Sequence, residues 1–387
     1  MAIIKSLLDQ DLYKFSMMSA VLHQFPGTQV EYEYKCRNSE KIKWNGNMIT
    51  RLMKEIDNLC ELRFTEEELD YLGSLRFMKQ DFIDFLRIFK LDKRYLEVSW
   101  QGGELKINIK GPWLQTIFFE VFLLAIVNEV YFMFNGTDIF DSGRKRLLDK
   151  IETIKGTDIK FKLTDFGTRR RYSGVWQDEV VKTLTNMLPN HFIGTSNVML
   201  AKKYNIKPIG TMGHEILQCG QALTKVRDSQ KFIFQKWAEE YRGDLGIALS
   251  DVVGVDAFIR DFDMYFCKLF DGCRHDSGNP FIWVDKIIDM YKSYDIDPKT
   301  KIAVFSDGLN VDKAIDIFRY VDGRIKTTFG IGTNLTNDIV GVEPLNIVIK
   351  VIKCNGQPVA KISNSPGKCM CEDEEYLKYL KSQMGVK

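Results

Sequence analysis

The sequence predicts an α/β fold in which a parallel sheet rolls into a barrel and an α+β region lies beside it. Short apolar strands alternate with helical stretches after about residue 150. Their spacing leaves room for helical crossovers, which produces right-handed βαβ units. Polar or charged residues follow almost every strand, and a barrel brings such residues together at one mouth. The 387 residues, 45% of them apolar, suffice for a large core.

Residues 1–150 predict the α+β region. Apolar residues from Leu8 to Leu22 recur every three or four positions, which indicates a helix. Residues Val30–Cys36 alternate between apolar and polar side chains, which is typical of a half-exposed strand. The remaining predicted elements are helices over 66–75 and 80–89 and a strand pair, 96–99 and 105–109, around a Gly-Gly turn.

The segment Thr116–Phe134 is the strongest membrane candidate in the chain. It contains Glu120, Asn128 and Glu129, and carboxylates are costly within a lipid span. We therefore interpret it as a buried or interface helix and expect no membrane association.

Seven short strands are predicted in the second part of the chain: Ile159–Leu163, Phe192–Ile193, Pro208–Gly210, Leu245–Leu249, Leu269–Cys273, Ile302–Phe305 and Ile325–Phe329. Seven strands permit either a barrel or an open sheet, and the polar residues at their ends favour a barrel. Two later strands, Ile347–Cys354 and Val359–Ser363, are assigned to the N-terminal sheet. The predicted domains are thus 1–150 joined by about 342–387, and a barrel over 151–341.

Composition excludes several classes of function. The chain has 54 basic and 52 acidic residues and a net charge of +2, so no strongly basic surface for nucleic acid is expected. Eight cysteines without a CxxC pair, and an N-terminus interrupted by Asp9, Asp11 and Lys14, indicate a reduced, cytoplasmic protein. Walker A, HExxH and GxSxG motifs are absent from the sequence.

The residues able to carry chemistry follow the predicted strands. Each segment is a weak signal alone, but together they combine arginines, carboxylates, a histidine and two glycine-rich segments. They are Asp165–Arg171, Gly194–Asn197, Gly210–Glu215, Ser250-Asp251, Arg274–Asn279, Ser306-Asp307-Gly308 and Gly330-Ile331-Gly332-Thr333-Asn334.

Two of these segments suit phosphate. Guanidinium groups in Arg169–Arg171 bind phosphate oxygens in pairs. The glycines of Gly330–Asn334 allow backbone N–H groups to approach a phosphate. A dinucleotide-binding GxGxxG motif is not present there, because Leu335 occupies the third glycine position.

Carboxylates and a histidine complete the candidate set. Asp251, Asp276 and Asp307 each come just after a strand, where they suit Mg²⁺ or a positively charged transition state. A single histidine is usually structural, but the position of His214 beside Gly213 in such a loop favours a functional role.

Several segments resemble nicotinate phosphoribosyltransferase in order and spacing, from Leu8 to beyond Lys368. They are DQDLYKFSM, DFGTRRR, FIGTSNVMLAKKYN, IGTMGHE, RHDSGNP, FSDGLN, FGIGTNLTND and KISNSPGK. The resemblance implies a type II phosphoribosyltransferase with an irregular α/β barrel. It also implies a second domain built from both ends of the chain, and active sites at a homodimer interface.

The resemblance implies a definite reaction in NAD biosynthesis and salvage. Nicotinate and phosphoribosyl pyrophosphate give nicotinate mononucleotide and pyrophosphate, with Mg²⁺ as cofactor and ATP as coupled co-substrate. The ring nitrogen attacks the anomeric carbon through an oxocarbenium-like state, which carboxylates such as Asp276 and Asp307 stabilise.

By the same resemblance, Phe166 stacks on the pyridine ring and Tyr13 of a partner subunit covers its other face. Arg274 faces the nicotinate carboxylate. Ser196 occupies a position where nicotinamide-using relatives carry aspartate, and an acid there would repel an anionic substrate.

The remaining roles concern phosphate. Gly167 opens the turn, and Arg169 with Gly330 and Gly332 holds the donor phosphates, while His214 matches the histidine that ATP phosphorylates. Further expected substrate contacts are Asp251, Ser306, Gly308 and Thr333. Whether Arg170 and Arg171 face the substrate stays open.

Two alternatives remain at this stage. The acceptor could instead be nicotinamide or quinolinate, although the second carboxylate of quinolinate requires more cationic groups. The barrel could also bind a sugar phosphate without catalysis, which the combination of Arg169, His214, Arg274, Asp276 and Asp307 argues against.

Overall fold

Two β-sheets of different character organise the chain in the computed structural model, which describes residues 2–136, 140–157, 159, 161–362, 371 and 373–386. In chain order the strands are β1 Gln29–Cys36, β2 Leu96–Gln101, β3 Glu104–Pro112, β4 Leu163–Asp165, β5 Phe192–Thr195, β6 Lys207–Pro208, β7 Ile247–Leu249, β8 Gly272–His275, β9 Ile302–Phe305, β10 Lys326–Ile331, β11 Ile347–Cys354 and β12 Gln357–Pro358.

Helices surround both sheets. They are α1 Leu12–Gln24, α2 Gly46–Glu61, α3 Glu66–Gly73, α4 Gln80–Ile88, α5 Trp113–Thr116, α6 Phe119–Asn135, α7 Phe140–Lys155, α8 Gly174–Met187, α9 Val198–Tyr204, α10 His214–Leu223, α11 Ser229–Tyr241, α12 Val255–Asp261, α13 Met264–Leu269, α14 Pro280–Ser293, α15 Val311–Val321, α16 Thr333–Thr336 and α17 Glu374–Met384.

The predicted irregular α/β barrel is confirmed as a curled parallel sheet of seven strands in the order β6-β5-β4-β10-β9-β8-β7. Among the described residues β6 and β7 form the two ends of this sheet, which stays open between them. The Thr211 hydroxyl bridges this side by donating to the Ile247 carbonyl at 2.9 Å.

Several barrel strands reach further toward the site than the sequence indicates. The first strand begins at Leu163 rather than Ile159 and ends at Asp165, which pairs with Ile331 (Asp158 and Lys160 lie outside the described residues). His275 likewise pairs with Phe305. Asp165, Arg274 and Gly330 therefore lie in paired strands rather than in loops, which fixes their backbones.

The second sheet is antiparallel, in the order β12-β11-β1-β3-β2. It pairs β1, near the start of the chain, with β11, near its end. The predicted strand Val359–Ser363 is wrong in position: β12 is Gln357–Pro358, and Ser363 lies outside the described residues. The chain leaves the sheet there, because the Ile362 amide donates to Val252 of the barrel at 2.7 Å.

The first helix begins at Leu12 and not at Leu8. Asp11 forms an isolated antiparallel bridge with Asn197, and the Leu12 amide donates to the Ser196 carbonyl at 2.8 Å. These bonds tie the segment before α1 to the end of β5, so residues near the N-terminus reach the barrel mouth.

The apolar helix α6 is a core helix, as predicted. The span Trp113–Asn135 is long and apolar enough to cross a membrane by composition alone, yet 83% of its most apolar window is buried inside the protein. Its polar side chains all have partners: Glu120 pairs with Lys14, Glu129 pairs with Arg171, and Asn128 donates to the Arg169 carbonyl. The helix thus supports the segment that follows β4.

Candidate active site

A cavity of about 360 Å³, here called the outer cavity, lies between the carboxyl ends of the barrel strands and the antiparallel sheet. Ten of the residues predicted from the sequence line it. They are Phe166, Arg169, His214, Arg274, Asp276, Ser306, Asp307, Gly308, Gly332 and Thr333. Strand ends far apart in the sequence thus meet in one place, as a barrel requires.

A smaller inner cavity of about 70 Å³ adjoins it. Both cavities share Arg169, His214, Arg274, Asp276 and Lys350. The inner cavity is completed by Tyr13, Tyr32, Glu120, Gly213, Glu215, Gln218, Ile349 and Val351.

The Asp165 side chain holds the turn after β4 in place from the buried side. Its fully buried carboxylate accepts hydrogen bonds from the Gly167 amide at 2.8 Å, Gln177 at 2.9 Å and Thr195 at 2.8 Å. Burial raises the pKa of Asp165 to about 6 despite these bonds. The turn is therefore preorganised by a side chain that lines neither cavity.

The three consecutive arginines take different directions. Arg169 lines both cavities. Arg170 lines the outer cavity and donates to the Ile347 carbonyl at 3.0 Å, and burial followed by repulsion from Arg169 lowers its pKa to about 10. Arg171 is 1% exposed and binds Asp9 at 2.6 and 2.8 Å and Glu129 at 2.8 Å. Arg171 is thus part of the buried framework and does not line either cavity.

Two predicted glycines are needed for packing. A Cβ on Gly330 would lie 2.2 Å from the Phe166 ring, and one on Gly167 would lie 2.1 Å from the Thr336 hydroxyl oxygen. Neither glycine lines the outer or the inner cavity; Gly330 allows the Phe166 ring to pack against it, and its contact with donor phosphates stays a prediction. Gly167 has φ −93°, so the turn needs no unusual backbone conformation there. Of the later glycine segment, Gly332, Thr333 and Asn334 reach the outer cavity.

His214 is the first residue of α10 and is 8% exposed. Its Nε2 lies 2.9 Å from Asp251 Oδ1, 2.8 Å from Lys361 Nζ and 3.6 Å from Asp276 Oδ2. Burial, and then the Lys361 ammonium, lower the pKa of His214 to about 4. The ring is therefore neutral near pH 7, and one ring nitrogen carries a lone pair.

Asp251 and Asp276 both approach the Nε2 atom of this histidine. Asp251 lines neither the outer nor the inner cavity, but it accepts from Lys361 at 2.5 Å and from Ser277 at 2.7 Å. Asp276 lines both cavities and accepts from the Ser306 hydroxyl at 3.0 Å. Although burial opposes it, Arg274 and His214 lower the pKa of Asp276 to about 2. Ligand atoms of His214, Asp251 and Asp276 lie within 4.8 Å of one another.

Ser196 is not placed as the sequence predicts. It is 4% exposed, lines neither cavity, and donates to Asp11 Oδ1 at 2.7 Å. The carboxyl of Asp11 therefore already stands beside this position. The selection of an anionic acceptor by Ser196 stays a prediction.

Tyr13 lines the inner cavity of its own chain, where its ring packs against Gly213. Phe166 lines the outer cavity. Within one chain these two rings therefore do not form the two faces of a single slot.

The cavity wall contributed by the antiparallel sheet was missed from the sequence. Arg37 follows β1, Asn346 comes just before β11, and Val348 and Lys350 are alternate residues of β11 that line the outer cavity. A lysine within a largely apolar strand, as at Lys350, is the sequence feature that could have predicted this wall. Lys361 also lines this cavity, and the sequence indicates it only as part of the segment KISNSPGK.

Two guanidinium groups that line this cavity each have one nitrogen atom without a partner. The Nε atoms of Arg37 and Arg274 are buried and have no hydrogen-bond acceptor in the part of the chain that the structure describes. Buried polar groups are nearly always paired in native proteins, so these two donors favour the binding of an acceptor group in this cavity.

Comparisons with known proteins show to which family the chain is similar. Residues 161–387 match the model of the Nicotinate phosphoribosyltransferase (NAPRTase) family, and residues 8–128 match its N-terminal domain. A nicotinate phosphoribosyltransferase of Xylella fastidiosa is 55% identical over 390 residues, covering 99% of this chain and 98% of its own. One of Xanthomonas axonopodis is 54% identical over 388 residues, with 99% and 98% covered.

Solved structures give the same result. The crystal structure of nicotinate phosphoribosyltransferase from Vibrio cholerae has a TM-score of 0.96 at 39% identity, covering 100% of this chain and 94% of that one. The structure from Porphyromonas gingivalis has a TM-score of 0.94 at 34% identity, covering 99% and 100%. The chain therefore belongs to the nicotinate phosphoribosyltransferase family.

Proposed function

We propose that the chain transfers the phosphoribosyl group of phosphoribosyl pyrophosphate to nicotinate in NAD salvage, and couples this transfer to ATP hydrolysis through a phosphohistidine at His214. Family membership supports the transfer reaction. The observation that carries the proposal is the outer cavity, where one aromatic ring, several cationic side chains and a neutral histidine meet.

The donor binds through its anions. Arg37, Arg169 and Arg170 line the cavity and supply positive charge. The segments Ser306–Gly308 and Gly332–Asn334 also line it and supply hydroxyl and backbone N–H donors. As the bond to pyrophosphate breaks, the ring nitrogen forms the new bond to the anomeric carbon, and the cationic groups stabilise the leaving polyanion.

The acceptor binds between Phe166 and Arg274. Phe166 is held against Gly330 in a fixed position and presents a ring to the cavity, on which a pyridine stacks. Arg274 lines the same cavity and has a buried, unpaired Nε, which suits the nicotinate carboxylate. Asp276 and Asp307 stabilise positive charge that develops on the ribose.

His214 is suited to attack ATP without a separate base. Because its ring is neutral near pH 7, a nitrogen lone pair forms the bond to the γ-phosphorus, and ADP leaves with the electron pair of the broken P–O bond. Asp251 and Lys361 hold the ring in place through Nε2.

Mg²⁺ fits the carboxylates that face the outer cavity. Asp276 and Asp307 offer the hard oxygen ligands this ion prefers, alongside donor phosphates. A site between His214 and Asp251 fits less well, because the Lys361 ammonium already lies within 2.8 Å of both. When bound, Mg²⁺ neutralises negative charge on the leaving pyrophosphate.

We also propose that the protein is a cytoplasmic homodimer whose active sites combine residues of both chains. In each chain, residues 1–150 and 342–387 form one domain, and residues 151–341 form the barrel domain. Exposed apolar side chains at the end of α6 and the start of α8 support a subunit interface: Met133 is 53% exposed, Phe134 47% and Val175 70%. Sedimentation of the purified chain tests this state.

Turnover assays test the proposed reaction. With Mg²⁺ and phosphoribosyl pyrophosphate, nicotinate should yield its mononucleotide, whereas nicotinamide and quinolinate should not. Equal turnover of nicotinamide would contradict nicotinate as the acceptor substrate, and donor binding without any product would indicate a sugar-phosphate sensor.

His214→Ala should lose both the stimulation of turnover by ATP and the formation of phosphoprotein. An acid-labile phosphoprotein in this variant would exclude His214 as the phosphorylated residue.

A further inference from the structure

The inner cavity has no role in the reaction described so far. Its volume of about 70 Å³ is less than half that of a cavity of ~150 Å³ that holds a benzene ring. A pyridine ring or a nucleoside is too large for it, whereas a single phosphoryl group is of suitable size. His214 lines this cavity as well as the outer one.

The acidic residues of the inner cavity are already paired. Lys14 is fully buried and binds Glu120 at 2.7 Å and Glu215 at 2.5 Å. Glu215 also accepts from Tyr32 and Trp113, both at 2.5 Å. Arg169 contacts Glu120 at 3.3 Å. These carboxylates therefore have cationic or hydrogen-bonding partners of their own.

Lys350 is the exception among the charged groups here. It extends from β11 at the passage between the two cavities, and no described residue lies within ion-pair or hydrogen-bond distance of its ammonium group. Burial, assisted by Lys361 and Arg169 and opposed by Glu120, lowers the pKa of Lys350 to about 7. Lys350 is half-buried and lines both cavities, so its ammonium group is accessible to an anion that enters either of them.

We propose that the inner cavity is a phosphoryl-binding pocket and that Lys350 binds the phosphoryl group carried by His214. This inference rests on the proposed phosphohistidine. A phosphoryl group brings about −1.5 to −2 charges and three acceptor oxygens, for which an ammonium is a matching donor. With the phosphoryl group in the inner cavity, the outer cavity stays open to the donor, so both are bound together.

The test compares phosphoprotein in three variants of the full-length chain. After incubation with Mg²⁺ and ATP, the yield and decay of the acid-labile phosphoprotein are measured. Lys350→Met should lower the yield or shorten the lifetime by at least ~10-fold, the usual scale for one hydrogen bond to a charged group. Lys350→Arg, which keeps the positive charge, should restore much of the yield and lifetime of the phosphoprotein. Lys353→Met is the matched control, because Lys353 lies on the same strand but is exposed, and it should equal the wild type.

The result that overturns the proposal is a Lys350→Met phosphoprotein with wild-type yield and decay. Thermal melting establishes that each variant is folded. If the wild type forms no phosphoprotein, the proposed ATP coupling fails, and calorimetric titration with inorganic phosphate then decides the role of the pocket. Phosphate affinity lost in Lys350→Met and kept in Lys353→Met supports an anion pocket, and equal affinities overturn it.

Discussion

The two sides of the segment Thr168–Arg171 use the same residue type in opposite ways. On the cavity side, Arg169 and Arg170 stand among cationic groups, two of which have unpaired donors. On the core side, Arg171 is enclosed by Asp9, Glu129 and Gln177, each within hydrogen-bond distance. A buried network in which every charged group is paired holds the backbone in place, whereas donors without partners are available to bind a ligand. The core side should therefore govern stability, and the cavity side should govern ligand binding.

The largest expected effect is on the core side. Arg171→Met leaves the carboxylates of Asp9 and Glu129 buried without their cation, which should lower the free energy of unfolding by ~3–5 kcal/mol. Urea denaturation of the variant and the wild type measures this change in the free energy of unfolding.

Arg144→Met provides the control for this effect. Arg144 is an exposed arginine that also pairs with two carboxylates, those of Glu179 and Asp141, and its loss should cost less than ~1 kcal/mol. Similar losses in Arg171→Met and Arg144→Met would remove the distinction between the two sides.

An intermediate effect is expected on the cavity side. Arg169→Lys keeps the charge but loses the planar fork, so affinity for phosphoribosyl pyrophosphate should fall by ~1–3 kcal/mol while the free energy of unfolding changes little. Calorimetric titration measures the affinity. If donor affinity is unchanged, Arg169 lies outside the phosphate site.

The smallest expected effect concerns Ser196, which lies on the core side. Ser196→Ala removes the hydrogen bond to Asp11 and should cost ~1 kcal/mol of stability. Competition between nicotinate and nicotinamide should be unaltered, because Ser196 lines neither cavity. A shift toward nicotinamide would place Ser196 in acceptor selection after all.

Much of the barrel side could be predicted from the sequence because its signals are local. A short apolar strand followed by charged and glycine-rich residues indicates both a parallel sheet and a site, and Phe166, Arg169, Arg274 and Asp307 lie together as that pattern requires. The exact strand ends were missed, since whether Asp165 belongs to β4 depends on its pairing with Ile331, 166 positions later in the numbering.

The other wall depends on pairing that leaves no local trace. Lys350 reaches the site because β11 pairs with β1, and the sequence between them spans the whole barrel. The difference between Arg169 and Arg171 likewise depends on Asp9 and Glu129, whose positions only tertiary packing sets. Adjacent residues of one type cannot be separated by composition or periodicity.

The pairing of β1 with β11 also determines when the site is complete during synthesis. A chain still on the ribosome carries α6 and the barrel strands before residues 347–362 exist. Lys350 and Lys361 are then missing, and β1 lacks one of its two neighbours in the sheet. A truncated product can thus fold its barrel strands and still lack one wall of its pocket.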